Sequence, residues 1–284
     1  MTAFREHTVQ CISPAGLHQM AYTEWGDAAN PDVLLCVHGL SRTGRDFDDL
    51  ARALSHHYRV VCPDVAGRGN SSWLADPIHY QIPQYVADMV TLIARLNPGV
   101  LHWMGTSMGG LIGMGLAALP ASPIKKLVLN DVGPVIRGAA LRRIGEYLGQ
   151  APLFPDLCSA EKYIRAVSAS FGLKTDAQWK TLTAHSIKPA GTGFALHYDP
   201  SIAVPFKQQD AGSADIELWP VYDAIRCPVL VTRGEHSDLL LRDTVALMAV
   251  RGPKAATVEI PGVGHAPMFM DPDQISVVQN FLLN

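Results

Sequence analysis

No apolar run in this chain approaches the ~20 residues needed to cross a bilayer; the best, Leu111 to Leu119, is short and broken by glycine. No membrane span is expected. Positive charge is not in excess either. Lys+Arg 23 against Asp+Glu 26 gives a formal net charge of −3, and no long basic run supplies the field that nucleic acid or an anionic membrane requires. The expected partner is therefore a small molecule, with neither nucleic acid nor membrane involved. Cysteine is sparse, with five residues at 11, 36, 62, 158 and 227 and no CxxC pair. The odd count, the wide spacing and the polar start MTAFREHTVQ, which has no apolar export core, point to buried thiols in a cytoplasmic, reducing setting. An HExxH or a Cys/His cluster with metal-ligand spacing is missing. Gly67-Arg68-Gly69 lacks the third glycine or Lys-Ser/Thr tail of a phosphate loop and reads as a structural turn. No metal and no organic cofactor are expected.

What is present is an ordinary globular composition, 48% hydrophobic and 17% charged over 284 residues, enough for one large α/β unit carrying an inserted subdomain. Short apolar, β-branched runs recur at Val33 to Val37, Tyr58 to Cys62, Val100 to Met104, Lys126 to Asn130, Pro228 to Thr232 and Ala256 to Ile260. Near-continuous apolar character is the mark of parallel strands covered on both faces. Between them, Phe47 to Leu54, Tyr85 to Leu96, Leu111 to Leu119, Thr244 to Val250 and Gln274 to Leu283 carry helical apolar spacing. His7 to Ile12 and Gln19 to Trp25 read as an antiparallel pair at the sheet edge, so the sheet is mixed. The rhythm stops between Pro134 and Pro220, where helical segments appear at Leu141 to Leu148, Glu161 to Ser170 and Ala177 to Ala184 without a clear core strand. This divides the chain into a core over 1–133, a helical lid over 134–220 and a second core part over 221–284. Aromatics of the lid, including Phe154, Phe171, Trp179, Phe194, Tyr198, Phe206 and Trp219, should mostly fill its own core, with a minority facing substrate.

The candidate chemistry centres on Gly105-Thr106-Ser107-Met108-Gly109, which joins the apolar run Val100 to Met104 to a helical segment. A serine on such a sharp strand-to-helix turn is held in a strained conformation with its hydroxyl exposed at the sheet edge. A serine nucleophile needs a base, and the base needs an acid to orient it. Among eleven histidines, His265 lies in the glycine loop Gly262-Val263-Gly264-His265 directly after a strand, at the rim where parallel strands end together. For the acid, Asp238 follows the strand Pro228 to Thr232 in Arg233-Gly234-Glu235-His236-Ser237-Asp238 and is the first choice. Glu235 and Asp131, the latter at the end of LVLND, are rivals that sequence leaves open. The Met108 N–H at the helix start and the Leu40 N–H in Val37-His38-Gly39-Leu40 are the candidate oxyanion donors, with His38 organising that loop.

Together, VHGL, the turn Asp64 to Ser71, GTSMGG, RGEHSDLL and GVGH resemble the α/β-hydrolase superfamily over nearly the whole chain, most of all its lid-bearing bacterial esterase and enol-lactonase branch. The resemblance implies a mostly parallel eight-stranded sheet with helices on both faces and a helical lid inserted after strand six. It also matches the nucleophile, acid and base positions to Ser107, Asp238 and His265. The expected activity is hydrolysis of a small or medium carboxylic ester or lactone through an acyl-enzyme. The alternatives are carbon–carbon hydrolysis of a diketone on the same fold and ligand binding without turnover. Arg42, Arg45 and Arg68 lie in loops near the active edge; they read as ordinary surface charge, or as partners for a carboxylate-bearing acyl group.

Overall fold

The computed structural model describes residues 4–208 and 214–284. Its centre is an eight-stranded sheet of β1 (Arg5–Ser13), β2 (Gly16–Trp25), β3 (Asp32–Val37), β4 (Arg59–Pro63), β5 (Val100–Thr106), β6 (Ile124–Asn130), β7 (Val229–Gly234) and β8 (Ala256–Ile260). The spatial order is β1-β2-β4-β3-β5-β6-β7-β8. β1 pairs antiparallel with β2, and β2 with β4, while every other neighbouring pair is parallel. The edge hairpin and the mixed sheet therefore agree with the sequence reading.

Alternation of side chains along the strands separates two cores. Leu34, Cys36, Val60, Cys62, Met104, Val128 and Leu230 point to the face covered by α1 (Asp48–Leu54) and the C-terminal helix Pro272–Leu283. Leu35, Val37, Val61, Trp103, Leu127, Leu129 and Val231 point the other way, toward α2 (Ile82–Leu96) and α3 (Met108–Ala117). Because the central strands β3 to β7 are largely buried on both sides, they tolerate little polarity except toward their ends. The chemistry sits at the carboxyl ends.

Between β6 and β7 the chain leaves the sheet. Elements from Val135 to Glu217 form an insert containing helices α4 (Gly138–Tyr147), α5 (Leu157–Val167), α6 (Asp176–Ser186) and α7 (Ala203–Gln208). The insert also carries a small antiparallel sheet of Leu153–Phe154, Gly193–Leu196 and Ile187–Ala190, which the sequence reading missed. These strands are two to four residues long, too short for a period-two pattern to register. Among the described residues no helix is long and apolar enough to cross a membrane.

Candidate active site

Ser107 is the hinge between β5 and α3, at φ 51° and ψ −115°, a region unfavourable for any residue with a side chain. Its N–H donates to the Asn130 carbonyl at 3.0 Å, which fixes the turn against β6. The flanking glycines are required by close approach rather than by their dihedral angles. A methyl on Gly105 would collide with the Gly109 carbonyl, and one on Gly109 with the Val37 carbonyl. Strand, turn and helix are thereby compressed into a short elbow that lifts the serine hydroxyl above the sheet.

His265 arrives from the loop after β8, and its Nε2 stands 3.0 Å from Ser107 Oγ. Ser170, from the insert, holds this loop, donating from Oγ to the His265 carbonyl at 2.8 Å while its own carbonyl accepts the Gly264 N–H at 2.7 Å. The other imidazole nitrogen, Nδ1, lies 2.7 Å from Asp131 Oδ2. Asp131 is fully buried and accepts two further hydrogen bonds, from the Gly234 N–H at 2.8 Å and the Ser237 hydroxyl at 2.7 Å. Three donors converge on one carboxylate, so the buried charge is satisfied and its position set.

This geometry corrects the choice of acid. Asp238 does not reach His265; its carboxylate is about half exposed (51%) and forms a two-pronged ion pair with Arg143 of α4 at 2.7 and 3.0 Å. The reason is the path of the chain. Gly234 and Ser237, at the end of β7 and just beyond it, spend their donors on Asp131, and the next residue is turned outward to the insert. Glu235, the other rival, accepts from the Gly262 N–H at 2.8 Å. Asp131 was visible as a charge following directly on the buried run Leu127–Asn130 at the carboxyl end of β6, whereas Asp238 sits in a polar run, the usual signature of a solvated loop.

The loop after β3 packs beside the serine: a methyl on Gly39 would lie 3.7 Å from Ser107 Cβ. His38, fully buried, accepts the Val65 N–H at Nε2 (2.9 Å), which places the proton on Nδ1 for donation to the Gly39 carbonyl at 2.7 Å. Burial pushes its pKa down to about 4, so it stays neutral. Arg68 is a residue whose position the sequence misjudged. It is not surface charge but is wholly buried, donating to the carbonyls of Leu40 (2.8 Å) and Ala66 (2.7 Å) and to the Tyr85 hydroxyl (2.8 Å), with Met108 Sδ 3.7 Å away. It braces both Leu40 and Met108, the two residues expected to supply oxyanion donors. Met108 is the first residue of α3, so its N–H has no partner within the helix.

Two cavities meet at Ser107, with Leu40 and Ile144 bordering both. The larger, about 580 Å³, is walled mainly by apolar residues, including Met108, Val132, Leu141, Ile202 and Phe206. The smaller, about 90 Å³, is bordered by His265, Arg42, Arg143, Tyr147, Tyr163 and Phe171. Of the nine aromatics in residues 134–220, Tyr147, Tyr163, Phe171, Tyr198 and Phe206 line these spaces, while Phe154, Trp179 and Trp219 are buried in packing. Away from the site, Cys11, His18 and Asp88 form the one group among the described residues whose ligand atoms are close enough to share a metal. His18 Nε2 is already 3.0 Å from Asp88, a hydrogen bond that a metal would have to replace.

Comparison with known proteins agrees with the fold. Residues 34–276 match the alpha/beta hydrolase family. The chain is 58% identical over 280 residues to a 3-hydroxybutyrate-oligomer hydrolase of Cupriavidus necator, covering 96% of each protein. A putative hydrolase from Rickettsia typhi superposes with a TM-score of 0.90 at 34% identity, over 99% of both chains. An alpha/beta hydrolase from Novosphingobium aromaticivorans gives 0.88 at 35% identity, over 100% of this chain and 99% of the other.

Proposed function

From a chain that belongs to the alpha/beta hydrolase family and cleaves esters, we propose a substrate and a set of catalytic roles: it hydrolyses short linear esters of 3-hydroxybutyrate, with Ser107 as nucleophile, His265 as base and Asp131 as its orienting acid. The observation that carries the roles is the continuous line from Ser107 Oγ to His265 Nε2 at 3.0 Å and from Nδ1 to Asp131 at 2.7 Å. The substrate rests on the 58% identity to the oligomer hydrolase, spread over nearly the full length of both chains.

The steps follow from the positions. Ser107 Oγ bonds the ester carbonyl carbon as His265 Nε2 takes its proton, and Asp131 stabilises the imidazolium that forms. The oxyanion is received by the Met108 and Leu40 N–H groups, at the positive end of α3. The bond to the alcohol oxygen then breaks, and that oxygen takes the proton from Nε2. Water, deprotonated by the same nitrogen, attacks the acyl-enzyme; the acyl bond to Ser107 Oγ breaks, Oγ takes the proton back from Nε2, and the acid is released. Residues 134–220 serve as the lid that roofs this site, supported by the contacts of Ser170 and Arg143 with the loops after β8 and β7.

Purified protein should convert the linear 3-hydroxybutyrate dimer and trimer to monomer, and Ser107→Ala should lose about three orders of magnitude or more in kcat. Oligomers left intact while a vinylogous diketone is cleaved, or turnover retained by Ser107→Ala, would refute the reading.

A further inference from the structure

We infer that the smaller cavity is a subsite for an alcohol portion bearing a carboxylate, gripped by Arg143, so that an oligomer is cut at its last ester and one hydroxy acid leaves from the carboxyl end at each turnover. This rests on the reading of the substrate as a 3-hydroxybutyrate oligomer.

The two cavities are not equivalent with respect to the chemistry. Ser107 borders both, but His265 borders only the smaller and Met108 only the larger. The alcohol oxygen must collect its proton from His265 Nε2 as the ester C–O bond breaks, so the alcohol portion lies on the side that His265 borders. The acyl portion then extends into the larger cavity, past the start of α3. In a linear hydroxy-acid oligomer the alcohol portion of the last ester is the terminal unit, and that unit carries the free carboxylate.

The charges match that direction. Among the described residues lining the larger cavity there is no lysine or arginine, and the one charged residue is Asp215, which Arg137 binds at 2.7 Å. The smaller cavity is bordered by two guanidinium groups, Arg42 and Arg143, and by the carboxylate of Asp46. Arg42 has all three nitrogens engaged and its charge paired: it donates to Asp46 through Nε and Nη2 at 2.8 and 2.6 Å, and to Ser186 through Nη1 at 2.6 Å. Arg143 is held at the rim by Asp238 through Nε and Nη2, which leaves Nη1 to a ligand. Its side chain is 43% exposed, so it meets an incoming carboxylate without a buried pair having to be broken. Tyr147, beside Arg143, adds a phenol whose pKa burial raises, so it remains a hydrogen-bond donor throughout the neutral range. The volumes agree, with about 90 Å³ on the alcohol side against about 580 Å³ for the remainder of the chain.

A trimer of 3-hydroxybutyrate deuterated only in its carboxyl-terminal unit tests this in the unaltered protein. Early products read by mass spectrometry should be deuterated monomer and unlabelled dimer. Unlabelled monomer with deuterated dimer, or an equal mixture, overturns the direction. A second measurement compares kcat/KM for the free-acid trimer with that for its methyl ester, in the wild type and in Arg143→Gln. The wild type should favour the free acid, and the variant should lower that ratio about tenfold. A ratio that does not change overturns the role of Arg143. Turnover of p-nitrophenyl butyrate with none of either trimer would instead sink the substrate reading, and the subsite with it.

Discussion

Two aspartates follow neighbouring parallel strands of the same sheet and meet opposite fates. Asp131, directly after β6, is fully buried, accepts three hydrogen bonds and touches His265. Asp238, four residues past β7, is half exposed and pairs with Arg143 of the insert. The difference shows how the rim of a parallel sheet assigns work. A carboxylate at the strand end is locked by the backbone donors of the next strand, while one farther along the loop belongs to solvent and to whatever covers the site. The same division separates Arg68, buried behind Leu40 and Met108, from Arg143 at the mouth.

The strongest way to break this comparison is to neutralise each aspartate in turn. Asp131→Asn should lower kcat by about four orders of magnitude, since an amide cannot hold the imidazole in the required tautomer and charge state. Asp238→Asn should alter hydrolysis of a neutral ester such as p-nitrophenyl butyrate by less than about threefold. Steady-state kinetics on both variants decides the matter, and the reverse order of losses would return the acid to the loop after β7.

The two arginines sharpen the contrast in stability. Arg68→Met leaves the buried carbonyls of Leu40 and Ala66 without a donor and should cost about 2–5 kcal/mol in urea unfolding. It should also lower kcat by loosening Leu40. Losing the exposed Arg143–Asp238 pair should cost about 0–1 kcal/mol. Equal costs would show that burial does not rank these residues.

A smaller effect concerns the buried His38. Its folded pKa, about 4, lies below the ordinary 6.5, so between those values the unfolded chain binds the extra proton. Stability from this group is therefore complete above pH 6.5 and is lost as pH falls through about 4, by about 3 kcal/mol in full. Asp64, pushed up to about 6 by burial, acts in the opposite sense, losing stability as pH rises from 3.8 to 6. The two offset each other in the wild type. Subtracting the unfolding profile of His38→Asn from that of the wild type isolates the histidine, and the difference should shrink steadily from pH 7 to pH 4. A constant difference would mean that His38 titrates alike in both states.

Much of this protein was determined by its sequence alone. Nearly continuous apolar runs such as VLLCV, RVVC, LVLN and VLVT require a sheet covered on both faces, because an exposed row of that kind would not persist in water. The serine between two glycines follows from excluded volume: no larger residue fits at 105 or 109. His265, in a glycine loop directly after a strand, was readable for the same local reason. Tertiary structure alone decided the partner of that histidine, because β6 and β7 are adjacent in space although residues 131–228, most of them insert, separate them in sequence. Whether a loop donor turns toward Asp131 or a carboxylate turns toward Arg143 depends on what packs across that gap. Burial of Arg68 and the division of the site into two cavities are decided in the same way, since they arise only where the insert meets the carboxyl edge of the sheet.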